Sequence, residues 1–75
     1  MPHISVKMYP GRSEQDKERL AEAIVNDVIK YTGAGPESIS VAIEEVSPSD
    51  WKAEVYDPEI RAKSDELYKK PGYRM

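Results

Sequence analysis

The sequence contains no cysteine, no phenylalanine and only one histidine. The lack of cysteine excludes disulfides and thiolate zinc sites, and one histidine argues against a histidine-based metal centre. No apolar run is long enough to span a bilayer. The residues after Met1 lack the basic stretch and apolar run of a signal peptide. We therefore expect a soluble, cytoplasmic protein without a metal centre.

Length and charge restrict the function further. The 75 residues make one small domain, residues 1–75. Lysine and arginine total 11 against 14 acidic residues, a net charge of −3. A mildly acidic chain has no long-range attraction for nucleic acid or anionic membranes, so neither is an expected partner. A domain of this size buries only roughly 60% of its unfolded surface, so we expect partner subunits.

Two alternating segments flank one amphipathic segment. Residues 2–9 and 38–46 alternate apolar and polar side chains, with the period of two typical of a strand. Between them, Ser13 is suited to cap a helix that extends to about Tyr31, and Gly33 is suited to end it. A strand–helix–strand order with a single helix predicts a right-handed crossover and a parallel pair of strands.

The remaining third of the chain is less regular. Residues 47–50 indicate a turn, and residues 51–56 are either a turn or a brief edge strand. Asp57 and Pro58 predict the start of a short C-terminal helix that ends at Pro71. Two parallel strands alone are not a stable sheet and leave unpaired edges. The predicted fold is therefore an α/β domain, β-α-β plus a short helix, whose sheet is completed by homo-oligomerisation.

Proline at position 2 is the most unusual feature of the sequence. An initiator methionine is expected to be removed when the next residue is small, which would leave a free secondary amine at the start of the first strand. Burial and a nearby cation would lower the pKa of that amine. A base poised near the working pH contributes roughly 10²–10⁴ in rate. In many proteins, however, a proline after the initiator methionine only allows that methionine to be removed and has no catalytic role. Both interpretations therefore stay open.

Three other residues carry possible chemistry. Arg12 follows the strand-ending turn and could hold a carboxylate in a bidentate fork, or be a solvated loop residue. Trp51 could form the wall of a pocket or belong to the core. His3 is adjacent to Pro2, but the alternation turns it to the other face of the strand. The residues alone do not decide between these interpretations.

Taken together, these residues resemble the 4-oxalocrotonate tautomerase family. Pro2 opening a strand, the Gly-Arg-Ser of residues 11–13 opening the first helix, and the strand–helix–strand order carry the resemblance. It covers the chain without an internal gap as far as Trp51. The start, Met-Pro-His-Ile, and the ending, Lys-Lys-Pro-Gly-Tyr at residues 69–73, are most similar to the PptA-like branch. That branch acts on enol and keto forms of phenylpyruvate-like acids.

The resemblance implies a role for each candidate residue. Pro2 would be the general base that moves a proton between carbon and oxygen of a 2-oxo acid. Arg12 would bind the substrate carboxylate, and Trp51 would be an apolar wall that lowers the pKa of the proline. Ser40 stands where the family has a second arginine, which favours a monocarboxylic enol acid over a dicarboxylate. The family needs no cofactor and forms dimers or hexamers, and the ending of this chain favours a homodimer.

Two alternatives keep the same fold. A haloacrylate dehalogenase or hydratase-like homologue would need a carboxylate to activate water, for which Glu44 or Glu45 is available, and usually a second cation. A non-catalytic homo-oligomeric binding protein is permitted by the missing second arginine. In the tautomerase hypothesis, the donor to the enolate oxygen stays open among His3, Lys7 and a backbone N–H.

Overall fold

The structure, a computed structural model, describes residues 1–75. Its elements are, in order, β1 (His3–Met8), α1 (Glu14–Thr32), a 3₁₀ turn (Pro36–Ser38), β2 (Ser40–Glu45), α2 (Pro48–Trp51), a π-helical segment (Lys52–Arg61) and a second 3₁₀ turn (Ser64–Glu66). The chain divides into two compact units, Met1–Glu45 and Val46–Met75, called unit 1 and unit 2 below. No helix has both the length and the apolar character needed to cross a membrane. That residues 1–75 form a single domain stays a prediction.

Unit 1 contains the predicted pair of parallel strands. β1 and β2 form a two-stranded sheet in which His3 lies opposite Ser40 and Met8 lies opposite Glu45. The α/β fold class, with two parallel strands, a connecting helix and a second helical region, is therefore confirmed. The half-buried aliphatic side chains of the two strands are Ile4, Val6, Met8, Val41 and Ile43. Each strand has one neighbour only, so both outer edges of the sheet are open within the chain.

The capping residues predicted from the sequence fix both ends of α1. Ser13 Oγ accepts the backbone N–H of Asp16 at 3.0 Å. Gly33 has a φ of 75°, and its N–H donates to the carbonyl of Ile29 at 2.9 Å. Glycine adopts this left-handed conformation without the steric cost of a Cβ atom. Local cap chemistry therefore sets the length of the helix.

The apolar residues of α1 are only partly covered. Leu20 and Tyr31 are 38% and 76% exposed. The half-buried positions of the helix are Lys17, Ala21, Ile24, Val25, Val28 and Ile29. Lys30 Nζ lies 5.2 Å from the ring centre of Tyr31, an exposed cation–π contact. No side chain of unit 1 is buried, so its apolar surfaces are only partly covered within one chain.

The second helical region begins at Pro48 rather than at Asp57, and its π-helical segment ends at Arg61 rather than at Pro71, so both predicted boundaries are wrong. Ser47 is extended and precedes a proline in the first turn, the arrangement that starts many helices. Residues 51–56 are helical and form neither a turn nor an edge strand. The helix runs on into the π-helical segment, where the N–H of Ala62 donates to the carbonyl of Asp57 at 3.1 Å. This wide turn accommodates Pro58, which has no N–H to donate.

Asp57 pairs with cations instead of capping a helix. Its carboxylate accepts hydrogen bonds from Lys52 Nζ at 2.9 Å and Arg61 Nε at 3.2 Å. The hydrogen bond from Lys52, followed by that from Arg61, holds the pKa of Asp57 below its ordinary value of 3.8. Unit 2 also contains the only buried residues of the chain, namely Val46, Val55 and Tyr56.

Candidate active site

The first end of β1 brings Pro2 next to the start of β2. The backbone N–H of Ser40 donates to the Pro2 carbonyl at 3.2 Å. On the side chains, His3 Nδ1 and Ser40 Oγ share a hydrogen bond of 2.7 Å. Pro2 is half-buried, whereas Met1 is fully exposed. Removing Met1 would therefore disturb no packing and would leave the Pro2 nitrogen at a strand end tied down by two hydrogen bonds.

Met1 determines what the Pro2 nitrogen can do. While Met1 is attached, the nitrogen belongs to an amide and has no useful basicity. After removal of Met1 it is a secondary amine, which can accept and return a proton. The structure therefore provides a fixed position for a base, and the chemistry depends on processing of the N-terminus.

The other end of the sheet carries a cationic groove. It has a volume of about 510 Å³ and is lined by Met8, Arg12, Asp16, Lys17, Arg19 and Leu20. Lys17 Nζ lies 2.8 Å from Glu14 Oε1 and 3.6 Å from Glu45 Oε2. The hydrogen bond to Glu14, more than the weaker attraction of Glu45, raises the pKa of Lys17 above its ordinary value of 10.5. Since Lys17 is already paired, Arg12 and Arg19 are the groove cations left to bind an anion.

Pro2 and Arg12 are not brought together within one chain. The six residues of β1 lie between the two ends. At a rise of about 3.3 Å per residue, the strand separates those ends by about 20 Å. Ser40 lies at the Pro2 end, since it pairs with His3. The contact between Lys17 and Glu45 places the start of α1 at the opposite end.

Trp51 lies in unit 2, where it belongs to an aromatic cluster. The half-buried indole donates its Nε1–H to the hydroxyl of Tyr73 at 3.0 Å. The ring of Tyr73 packs against Tyr56 with 5.7 Å between ring centres and 37° between planes. Of these three aromatic residues, the sequence indicated a functional role for Trp51 only. Tyr73 follows it by 22 residues, a separation that no local pattern predicts.

Arg19 is a second residue that the sequence analysis did not single out. It shares the groove with Arg12 and Asp16, and these three residues are spaced by four and then three positions. Asp16 and Arg19 share one face of α1 through their spacing of three, whereas Arg12 lies before the N-cap, so residue spacing alone did not predict the groove. The two glutamates proposed to activate water have different surroundings. Glu45 contacts Lys17, and Glu44 is exposed on β2. No group of three or more His, Cys, Asp or Glu side chains is placed to hold a metal ion.

Comparison with known proteins identifies the family. A family model described as tautomerase enzyme matches residues 2–56, more than half of the chain. The chain belongs to the tautomerase family. Membership extends through β1, α1 and β2 and into the π-helical segment. The tautomerase-type activity of this chain follows from that match and from its full-length relatives.

Those relatives are similar over nearly the whole chain. A Tautomerase PptA of Pectobacterium carotovorum subsp. carotovorum (strain PC1) is 47% identical over 74 residues, covering 97% of each chain. A probable tautomerase of Xylella fastidiosa (strain 9a5c) is 40% identical over 73 residues, covering 97% of this chain and 89% of the relative. Such full-length similarity to named tautomerases makes this chain a tautomerase-type enzyme.

Solved structures support the same family. TomN, a 4-oxalocrotonate tautomerase homologue of the tomaymycin biosynthetic pathway, superposes with a TM-score of 0.65 and 34% identity, over 67% of this chain and 77% of its own. YwhB, another 4-oxalocrotonate tautomerase homologue, gives a TM-score of 0.60 and 41% identity, over 61% and 75%. The resemblance to the 4-oxalocrotonate tautomerase family is therefore confirmed.

Proposed function

We propose that this chain is a cytoplasmic keto–enol tautomerase that acts on the enols of 2-oxo acids such as phenylenolpyruvate. Pro2, freed by removal of Met1, is the general base, and Arg12 binds the substrate carboxylate. The full-length similarity to Tautomerase PptA supports this assignment. The substrate class follows from the resemblance of both chain ends to the PptA-like branch. No metal or organic cofactor takes part.

The main support for the arrangement of the site is that the length of β1 separates Pro2 from Arg12. A small 2-oxo acid is much shorter than the roughly 20 Å between the two ends of the strand. Pro2 of one copy therefore works with Arg12 of another copy. The two open sheet edges and the lack of buried side chains in unit 1 support such an assembly.

Symmetry explains how two copies bring the two ends together. A two-fold axis perpendicular to the strands makes the same strand of both copies run antiparallel where they meet edge to edge. The Pro2 end of one β1 then faces the Arg12 end of the other. We propose a homodimer as the smallest complete assembly, and a hexamer built from such dimers would contain the same sites.

The proposed reaction moves one proton and needs no other reactant. The neutral Pro2 nitrogen takes the proton of the enol hydroxyl, and the protonated amine returns it to the adjacent carbon, which gives the keto acid. The guanidinium of Arg12 holds the carboxylate through two parallel N–H donors. Negative charge on the enolate oxygen is stabilised by a hydrogen-bond donor, with His3, Lys7 and a backbone N–H as the candidates.

Ser40 and Trp51 complete the proposed site. Ser40 lies at the Pro2 end and is uncharged, so a monocarboxylate fits better there than a dicarboxylate, which would need a second cation. Trp51 supplies an apolar surface that disfavours the protonated amine and so lowers the pKa of Pro2. Its role is carried over from the aromatic position of the family.

Comparing the processed protein with a form that retains Met1 tests this function. Protein purified without an N-terminal tag is checked by intact mass, and ketonisation of phenylenolpyruvate is followed by the loss of enol absorbance. We expect the processed form to be faster by roughly 10² or more, the contribution of a poised base. Equal rates of the two forms would exclude Pro2 as the base. Halide release from a haloacrylate without ketonisation would favour the dehalogenase alternative.

A further inference from the structure

The orientation of Trp51 depends on a residue near the C-terminus. An indole ring has one hydrogen-bond donor and a terminal torsion with broad preferences, so packing and hydrogen bonding decide how it lies. The Trp51 Nε1–H donates to the Tyr73 hydroxyl at 3.0 Å, within the range of a well-formed N–H···O bond. This bond holds one edge of the ring.

Tyr73 is itself held in place. Its ring lies 5.7 Å from that of Tyr56, within the separation at which aromatic pairs attract each other. Tyr56 is only 7% exposed and belongs to the core of unit 2. Two residues before Tyr73, the half-buried Pro71 restricts the backbone of the tail. A chain of contacts therefore leads from the core through Tyr73 to the indole.

We propose that Tyr73 is a positioning residue that holds the Trp51 indole in its working orientation. The inference rests on the proposed function, which assigns Trp51 to the site as an apolar surface. Without the Tyr73 hydroxyl the indole loses one of its restraints and spends less time in the competent orientation, which is the only one that binds substrate. The apparent KM then rises in inverse proportion to the fraction of time spent in the competent orientation.

A conservative pair of variants separates this role from simple packing. Tyr73→Phe keeps the ring on Tyr56 and removes only the hydroxyl, whereas Tyr68→Phe makes the same change at a fully exposed tyrosine. Because Trp51 is the only tryptophan, its indole N–H resonance and its fluorescence report on this side chain alone. We expect Tyr73→Phe to shift the resonance and speed its exchange with solvent. We expect kcat/KM to fall about two- to tenfold, the range of one neutral hydrogen bond, mainly through KM. Tyr68→Phe should change neither.

A double-mutant cycle with Trp51→Phe tests whether Tyr73 acts through the indole. Trp51→Phe keeps an aromatic wall but removes the N–H donor, so Tyr73→Phe should cause no further loss in that background. An equal loss in both backgrounds would overturn the proposal, because Tyr73 would then act without Trp51. Unchanged kinetics of Tyr73→Phe would overturn it too, provided that Pro2→Ala still lowers the activity strongly.

Failure of the proposed function is distinguishable from failure of this inference. A processed wild-type protein that does not ketonise the enol overturns the function and, with it, any catalytic role of Tyr73. The indole resonance still shows in that case whether the hydrogen bond exists. A wild-type enzyme that is active and loses activity in Pro2→Ala, with an indole resonance unmoved by Tyr73→Phe, overturns the inference alone.

Discussion

The two ends of β1 differ in the chemistry that they offer. At the first end, Pro2 lies beside the hydrogen-bonded pair of His3 and Ser40. At the other, Arg12 and Arg19 line a groove that also has an apolar part. One chain therefore separates a potential base from its potential anion-binding groups by the length of a strand. Chemistry that needs both becomes possible only where copies of the chain meet.

The largest effect is expected at the Pro2 end. Pro2→Ala replaces the secondary amine by a primary amine of different basicity and geometry, and we expect kcat/KM to fall by roughly 10² or more. The pH–rate profile of the remaining activity should shift with the basicity of the new amine. Intact mass must show that both proteins have lost Met1. A Pro2→Ala variant as fast as the parent would show that the Pro2 nitrogen is not the general base.

A smaller effect is expected at the Arg12 end. Arg12→Gln removes the charged fork, and we expect KM to rise about 10- to 100-fold, the range of a hydrogen bond to a charged group. Arg12→Lys keeps the charge but loses the paired donors, so its KM should lie between those of the parent and Arg12→Gln. If both variants bind substrate as well as the parent does, the groove takes no part in carboxylate binding.

Arg19 should matter less than Arg12, although both line the same groove. Arg19→Gln lowers the positive potential near the carboxylate without removing its direct partner. We expect KM to rise about two- to threefold at low salt, and less at high salt because exposed charges are screened. Lys30→Gln, near the other end of α1, is the matched control and should leave KM unchanged. An effect of Arg19→Gln as large as that of Arg12→Gln would show that both arginines bind the substrate directly.

The smallest expected effect is on the stability of the chain near the cationic groove. The pKa of Lys17 is raised in the folded chain, mainly by its hydrogen bond to Glu14. Its contribution to stability is therefore present below pH 10.5, the ordinary pKa, and is lost as the pH rises through the higher folded-state value. Lys17→Met should flatten the alkaline limb of a plot of Tm against pH. An unchanged alkaline limb in this variant would show that the ion pairs of Lys17 contribute nothing to stability.

Asp57→Asn is the matched control at the acid end of the same plot. The pKa of Asp57 is lowered, so its contribution is present above pH 3.8 and is lost as the pH falls through the folded-state value. Asp57→Asn should therefore flatten the acid limb and leave the alkaline limb as in the parent.

The sequence predicts unit 1 well because its signals are local. Alternation locates β1 and β2 to within two residues, and Ser13 and Gly33 locate the ends of α1. In unit 2, Asp57 and Pro58 have the residue types of a helix start but lie inside a helical region. A π-helical hydrogen-bond spacing has no comparable signature in residue types. The true start, Ser47 followed by Pro48, has the same signature as the false one.

The candidate site was predictable only in part. The types and positions of Pro2 and Arg12 indicate a base and an anion-binding group, and the family match covers both. That they lie at opposite ends of a strand follows from the topology, not from their residue types. The contact between Trp51 and Tyr73 depends on the path of the tail, which no periodicity describes.

Mixing two strongly impaired variants tests the shared site most directly. Pro2→Ala and Arg12→Ala proteins are unfolded together, refolded and assayed at low substrate concentration. If the site is shared, mixed pairs contain one intact site, and about a quarter of the wild-type activity should return at equal amounts, as random pairing in a symmetric dimer requires. If Pro2 and Arg12 act within the same chain, no mixed pair has an intact site. A mixture no more active than the average of its two parents would therefore contradict the account.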